Sequence, residues 1–127
     1  MIKTTAIETS IAFLEIRDEV LFVVFKEGVE IQLENIDEII KARKVLQQGK
    51  KVLVLTDIRN VWHASKAAKA RAGNEEFLKL SYATAILVGS LPTRLLANFY
   101  IKFNKPKVST KMFTSKEKAL TWLKFHN

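Results

Sequence analysis

The stretch VLVLTD, from Val52 to Asp57, is an apolar run that passes directly into the polar turn IRNVWHA and then into SKAAKARA from Ser65. An apolar segment of this length reads as a strand buried on both faces, which is the mark of a parallel sheet lying between layers of helix. In open α/β sheets, ligand and partner sites gather at the carboxyl ends of such strands, beside the N-terminus of the following helix. The turn is therefore the first candidate surface, with Asp57, Arg59, Trp62 and Ser65 as its partner- or ligand-binding residues.

The rest of the chain repeats the alternation. IAFLEIR (Ile11–Arg17) and EVLFVVF (Glu19–Phe25) flank a charged break at Asp18 and read as an antiparallel hairpin, the second run fully apolar as in an interior strand. VEIQL after Gly28 either extends this sheet or forms a short strand of its own. Asn35 with Glu38 has the spacing of a capping box, and Ile36, Ile39, Ile40 and Leu46 share one face of the helix that follows. Lys41, Arg43 and Lys44 suit the negative end of that helix before Gly49 stops it. The alanine-rich helix from Ser65 breaks near Gly73 and resumes through Glu75 to Leu80. TAILVG is a further buried strand, PTRLLANFYIKF a helix opened by Pro92, VSTKMF an edge strand, and Thr114 with Glu117 a second capping box before the last helix. The expected order is β-β-α-β-α-β-α-β-α: an α/β fold with a single-layer mixed, mostly parallel sheet flanked by helices.

Length and composition frame this fold. With 127 residues the chain fits one domain, 1–127, able to bury roughly two thirds of its unfolded surface. Cysteine is absent, which excludes disulfides and thiolate metal sites. No apolar run approaches the ~18 residues of a membrane span, and MIKTTAIETS has no secretory pattern, so the expected location is cytoplasmic. Net charge is +8 but unevenly placed. Residues 1–38 carry three bases against nine acids, a net of −6, and residues 39–127 carry eighteen against four, a net of +14. Such polarity suits an acidic partner, an anionic surface or a second subunit. Lys66, Lys69, Arg71 and Lys79 form a basic face on the second helix, read first as solvated. Nucleic-acid binding is not expected, because no RNA-recognition pattern, Cys/His finger or helix-turn-helix is present.

The Pro92–Phe103 helix is apolar around most of its circumference. Leu96, Phe99, Tyr100 and Phe103 follow i, i+3, i+4, i+7 spacing, Leu95 widens the stripe, and Ala97 and Ile101 fall on the far side. A helix of this kind is covered on more than one side, by a second subunit or by a ligand-filled space. Leu95, Leu96, Phe99, Tyr100 and Phe103 are accordingly the candidate dimer or cavity face.

Chemistry is not expected. Asp57, His63 and Ser65 are the residue types of a nucleophilic triad, but one short turn does not deliver triad geometry, and no Gly-x-Ser-x-Gly elbow occurs. Ser65 reads better as a helix N-cap, and Asp57 as the partner of Arg59. His63 and His126 have no companions at metal-ligand spacing, so no metal is assigned. No phosphate-cradling glycine motif is present, and no cofactor is expected. Trp62 is read as buried against the alanine-rich helix ahead of an exposed anchor, and Trp122 as core.

The hairpin, the capped first helix, KKVLVLTDIRNV, SLPTRLLANFYIKFNKPK and the closing MFTSKEKALTWLK together resemble bacterial STAS-like domains, over roughly residues 10–125. The likeness is to an uncharacterised branch whose members end in a phenylalanine, a capped helix start and an Ala-x-x-Trp-Leu segment. The resemblance implies the fold of the anti-sigma-factor antagonists and a non-enzymatic module that binds a regulatory protein or itself, as a homodimer. It also implies serine phosphorylation at the start of the helix after the third strand, where Ser65 is the only serine. The Asp-Ser-Ser-Gly pattern of antagonists is absent there. Relatives of similar fold that carry lipids supply the alternative, a carrier or sensor of a lipid or other apolar small molecule.

Overall fold

The computed structural model describes residues 5–126, so residues 1–4 of the N-terminal segment read above, and Asn127, lie outside it. Strands β2 (Ala12–Arg17) and β3 (Val20–Phe25) form the expected hairpin. Its two-residue loop places Asp18 and Glu19 at φ 50° and 66°, the positive values that the primed hairpin turns require. A short β1 (Ala6–Glu8), not anticipated, pairs antiparallel with the outer edge of β2. From β3 the sheet continues in parallel through β5 (Val52–Asp57), β7 (Ser81–Leu87) and β8 (Ser109–Phe113), giving the order β1-β2-β3-β5-β7-β8. The mixed, mostly parallel sheet is thus the one the alternation of elements implies.

Two further strands lie outside this sheet. β4 (Val29–Ile31) pairs in parallel with β6 (Val61–Ala64), so half of the polar turn after β5 is itself extended. Val61 and Ala64 are buried while Trp62 and His63 between them face solvent, a pattern without strict alternation and hence without a strand signal.

Alternate residues of the sheet feed two unequal cores. Leu14, Leu21, Val23, Phe25, Val54 and Ile86 meet α1 (Leu33–Gln47), α2 (Lys66–Ala72) and α4 (Leu91–Phe99) on one face. Phe22, Leu53, Leu55, Ala83, Ala85 and Leu87 meet α5 (Lys116–Lys124) on the other, through Ala119 and Leu123. Burial of such side chains contributes about 1.5–3 kcal/mol each. Trp122 packs at the rim of the second core between Phe113 and His126.

The helix starts differ from expectation by small shifts. α1 begins at Leu33, with Gln32 at the N-cap and Asn35 at the third position accepting the Gln32 N–H at 2.7 Å. Asn35 is therefore inside the helix, not its cap. α5 is capped by Ser115, whose Oγ accepts from Lys118 N, one residue beyond Thr114. Pro92 takes the second helical position of α4. The alanine-rich helix breaks as expected at Gly73, and α3 (Glu75–Leu78) follows, capped by Asn74. A Cβ at Gly73 would stand 3.3 Å from Asn104 Cβ, so glycine lets the segment after α4 approach closely. That segment, Tyr100–Asn104, continues α4 as a π-helical turn, and Lys105 leaves it at φ 43°.

Candidate functional site

The turn residues fall into two groups. Asp57 ends β5 almost buried, and its carboxylate is taken up by Arg59: Oδ1 accepts from the Arg59 backbone N–H and from Nε, both at 3.0 Å, and Oδ2 from Nη2 at 2.8 Å. This hydrogen bonding raises the Arg59 guanidinium above its ordinary value. Ser65 caps α2, its Oγ accepting from Ala68 N at 3.0 Å. Both side chains thus hold the turn in shape. Trp62 and His63, by contrast, point outward from β6. The indole is 72% exposed, correcting the expectation that it packs on the alanine-rich helix. Its Nε1 donates to Glu30 Oε1 at 2.9 Å, which gives the polar end a partner and leaves the apolar faces free.

The structure brings the Trp62 side of this turn to α4. A groove of about 280 Å³ runs between β6 and α4, walled by Trp62, His63 and Lys69 on one side and by Pro92, Leu95 and Phe99 on the other. The two surfaces treated separately in the sequence are therefore one. Along α4, Leu91, Leu95, Phe99 and Phe103 stand four residues apart on the solvent side, each between 49% and 63% exposed. The Phe99 and Phe103 rings lie 4.9 Å apart, continuing the ridge across the π-helical turn.

The stripe read as one dimer or cavity face is divided: Leu95, Phe99 and Phe103 face outward, and Leu96 and Tyr100 turn toward the sheet. Thr93 and Ala97 face inward and are almost wholly buried, whereas Phe99 and Phe103 face out. Thr93 Oγ1 receives the Gly89 N–H and donates to Ser90 O, anchoring the start of the helix close to the sheet. Small residues at the contact let the start of the helix pack closely on the sheet. Leu96 and Tyr100 are half-buried.

They line a partly open pocket of about 110 Å³ between the sheet and the helices. It is lined by Val54, Thr56, Thr84, Ile86 and Thr110 of the sheet, Ile36, Ile39 and Arg43 of α1, Ala68 and Ala72 of α2, and Phe77 of α3. The small side chains of Ala68 and Ala72 leave this volume unfilled. Tyr100 donates its hydroxyl to Ala72 O at 3.1 Å, and burial pushes the phenol up to about 12. Arg43 is fully buried. Its Nε donates to Gln47 Oε1 at 2.7 Å, and its Nη2 to Ser81 Oγ at 2.9 Å and Leu80 O at 3.2 Å. Burial lowers the guanidinium to about 10, so it stays charged at neutral pH.

Of the candidate dimer or cavity face, Leu96 and Tyr100 line this space; the inward placement of Arg43 escaped the sequence reading, which assigned it to the negative end of the helix dipole. A signal existed: Ile36, Ile39, Ile40, Arg43 and Leu46 recur every three to four residues, so Arg43 falls on the inward stripe. The basic face of α2 is also less free than its composition implies. Arg71 pairs with Asp37 at 2.8 Å and Glu76 at 2.7 Å, and Lys44 joins Glu76 at 3.0 Å. Hydrogen bonds from Arg71 and then Lys44 hold Glu76 down at about 2. Among the described residues, no group of three or more His, Asp or Glu is placed to hold a metal, and no helix is long and apolar enough to cross a membrane.

Comparison with solved structures places this architecture. An uncharacterised DUF3478-family protein with a SpoIIAA-like fold from Shewanella loihica PV-4 is similar with a TM-score of 0.62 at 18% identity, over 88% of this chain and 91% of that one. The unphosphorylated anti-sigma factor antagonist SpoIIAA matches with a TM-score of 0.60 at 14% identity, over 89% and 97%. An anti-sigma factor antagonist from Mycobacterium paratuberculosis matches with a TM-score of 0.61 at 13% identity, over 89% and 92%. The fold is therefore SpoIIAA-like, as the STAS resemblance implied. No match to this chain is found among curated proteins. A family model for a domain of unknown function, DUF7793, matches residues 14–127, and the chain belongs to that family.

Proposed function

We propose that the protein is a non-enzymatic interaction module, a single cytoplasmic domain that works through the face formed by Trp62 and α4 and pairs there with a second copy of itself. The observation that carries this reading is the ridge of Leu91, Leu95, Phe99 and Phe103, four large apolar side chains about half exposed beside an exposed indole. Covering each would contribute roughly 1 kcal/mol, half the value for complete burial. A contiguous apolar ridge with a Trp anchor is the composition of an interface centre. The SpoIIAA-like fold supports a regulatory protein as a further occupant, since two of the similar structures are anti-sigma factor antagonists. Asp57, Arg59 and Ser65 act by holding the turn that presents Trp62.

Sedimentation velocity across the micromolar range tests the pairing. The wild type is expected to gain mass with concentration, and Phe99→Glu to remain a folded monomer with the far-UV circular dichroism of the wild type. A wild type that stays monomeric throughout removes self-association. Tyr100→Glu is unsuited to this test, because Tyr100 is half-buried and tied to α2.

A carrier or sensor of a small apolar molecule is a second reading, favoured by the cavity beneath α2. Native mass spectrometry of the purified chain separates the two: an apolar adduct on a single protomer supports the carrier, and an empty pair of protomers the interaction module.

A further inference from the structure

The charge around this partly open cavity has one sign. Arg43 and Lys69 stand in its wall, and no aspartate or glutamate does. Arg43 is bonded to an amide oxygen, a carbonyl and a hydroxyl, all neutral. Among the described residues, neither Arg43 nor Lys69 has a carboxylate within ion-pair distance. Arg71, one turn of α2 away from the cavity-lining Ala68, has two. A buried cation whose charge is not balanced keeps the surrounding low-dielectric space positive, favouring an anion there and opposing an ammonium group.

Lys69 and Leu96 also belong to the wall of the surface groove, so the cavity and the groove adjoin at these two residues. A molecule with its tail inside would bring its polar end to Lys69. The volume, about 110 Å³, is below the ~150 Å³ of an apolar cavity that accepts the six carbons of benzene, which sets a tail of about four to five carbon atoms.

We propose that the cavity binds a small apolar carboxylate, its hydrocarbon tail against Val54, Ile86 and Leu96 and its carboxylate at Lys69. The proposal rests on the second reading above, that this cavity is a ligand site, and goes beyond it in naming the ligand's charge and size.

Isothermal titration of the full chain with hexanoate, hexan-1-ol and hexylamine tests the proposal. Because the alcohol leaves water more readily than the carboxylate, a cavity that selects by apolar contact alone binds hexanol best. The expected result is hexanoate about tenfold tighter than hexanol, with hexylamine not bound. Lys69→Met is expected to bring hexanoate down to the level of hexanol or below it, while leaving hexanol unchanged. Ala68→Leu, which fills the cavity, is expected to abolish both, and Ala72→Val serves if that variant does not fold. Hexanol binding as well as hexanoate in the wild type overturns the carboxylate proposal and leaves the carrier reading standing. Failure of all three to bind the wild type overturns both. Selectivity retained in Lys69→Met overturns the placement of the carboxylate.

Discussion

The Trp62 indole of β6 donates to the Glu30 carboxylate of β4, across the two-stranded sheet that stands apart from the main one. The bond orients a side chain that otherwise has solvent on most sides. In a Trp122→Phe background, where Trp62 is the single indole, Glu30→Ala is expected to lower tryptophan fluorescence anisotropy. Stability should change by less than about 1 kcal/mol, since the bond is exposed and its net contribution small. Unchanged anisotropy would mean that the Val61–Ala64 backbone alone sets the indole.

Arg43 ties the end of α1 to the start of β7 through Ser81 and Leu80. Arg43→Ala leaves Gln47 Oε1, Leu80 O and Ser81 Oγ with fewer donors and opens a void, which together should destabilise the protein by about 3–5 kcal/mol in urea unfolding. Arg43→Lys should recover only part of this, because an ammonium cannot reproduce the planar fork that reaches Gln47 and Ser81 together. A loss below about 1 kcal/mol for Arg43→Ala would show that the bonds are not formed in solution.

Glu76 provides an acid-range signature. Its folded value of about 2 lies below the ordinary 4.5 because Arg71 and Lys44 bond the charged form. A lowered folded value means that the stabilisation is complete above the unfolded value and is lost as pH falls through the folded one. Thermal melts of wild type and Glu76→Gln should therefore differ at pH 7 and converge between pH of about 4.5 and 2. A difference independent of pH would assign the effect to packing.

Tyr100 provides the opposite signature. Burial raises its phenol to about 12, so the neutral form is favoured in the folded state. The unfolded chain begins to release this proton near pH 10, and stability falls from there until the folded phenol also ionises. Tyr100→Phe should cost about 1 kcal/mol at pH 7 through the lost bond to Ala72 O, while abolishing this part of the alkaline decline. Equal alkaline slopes in the two proteins would place Tyr100 in solvent.

Much of the architecture was legible because it depends on local pattern. Val20–Phe25 and Val52–Leu55 are apolar without alternation and lie inside the sheet, and Ile36, Ile39, Ile40 and Leu46 share the buried face of α1. Gly73 divides the alanine-rich segment where a side chain would press on Asn104. The errors arise where pattern is ambiguous. Val61–Ala64 has buried ends and exposed middle residues, so its pairing with β4 left no periodic trace. In α4 nearly every position is apolar, and hydrophobicity could not tell the inward face from the outward one.

What the sequence by itself determined is the order of elements, the mixed sheet and the surplus of apolar side chains on α4, because these follow from periodicity and composition along the chain. Tertiary structure alone decided that Thr93 and Ala97 turn inward, that Trp62 and Phe99 share a groove, and that Arg43 and Lys69 stand on one cavity. The physical reason is that helix height and rotation over a sheet are set by the sizes of side chains brought together from distant segments. Those sizes act jointly only after the chain has closed on itself.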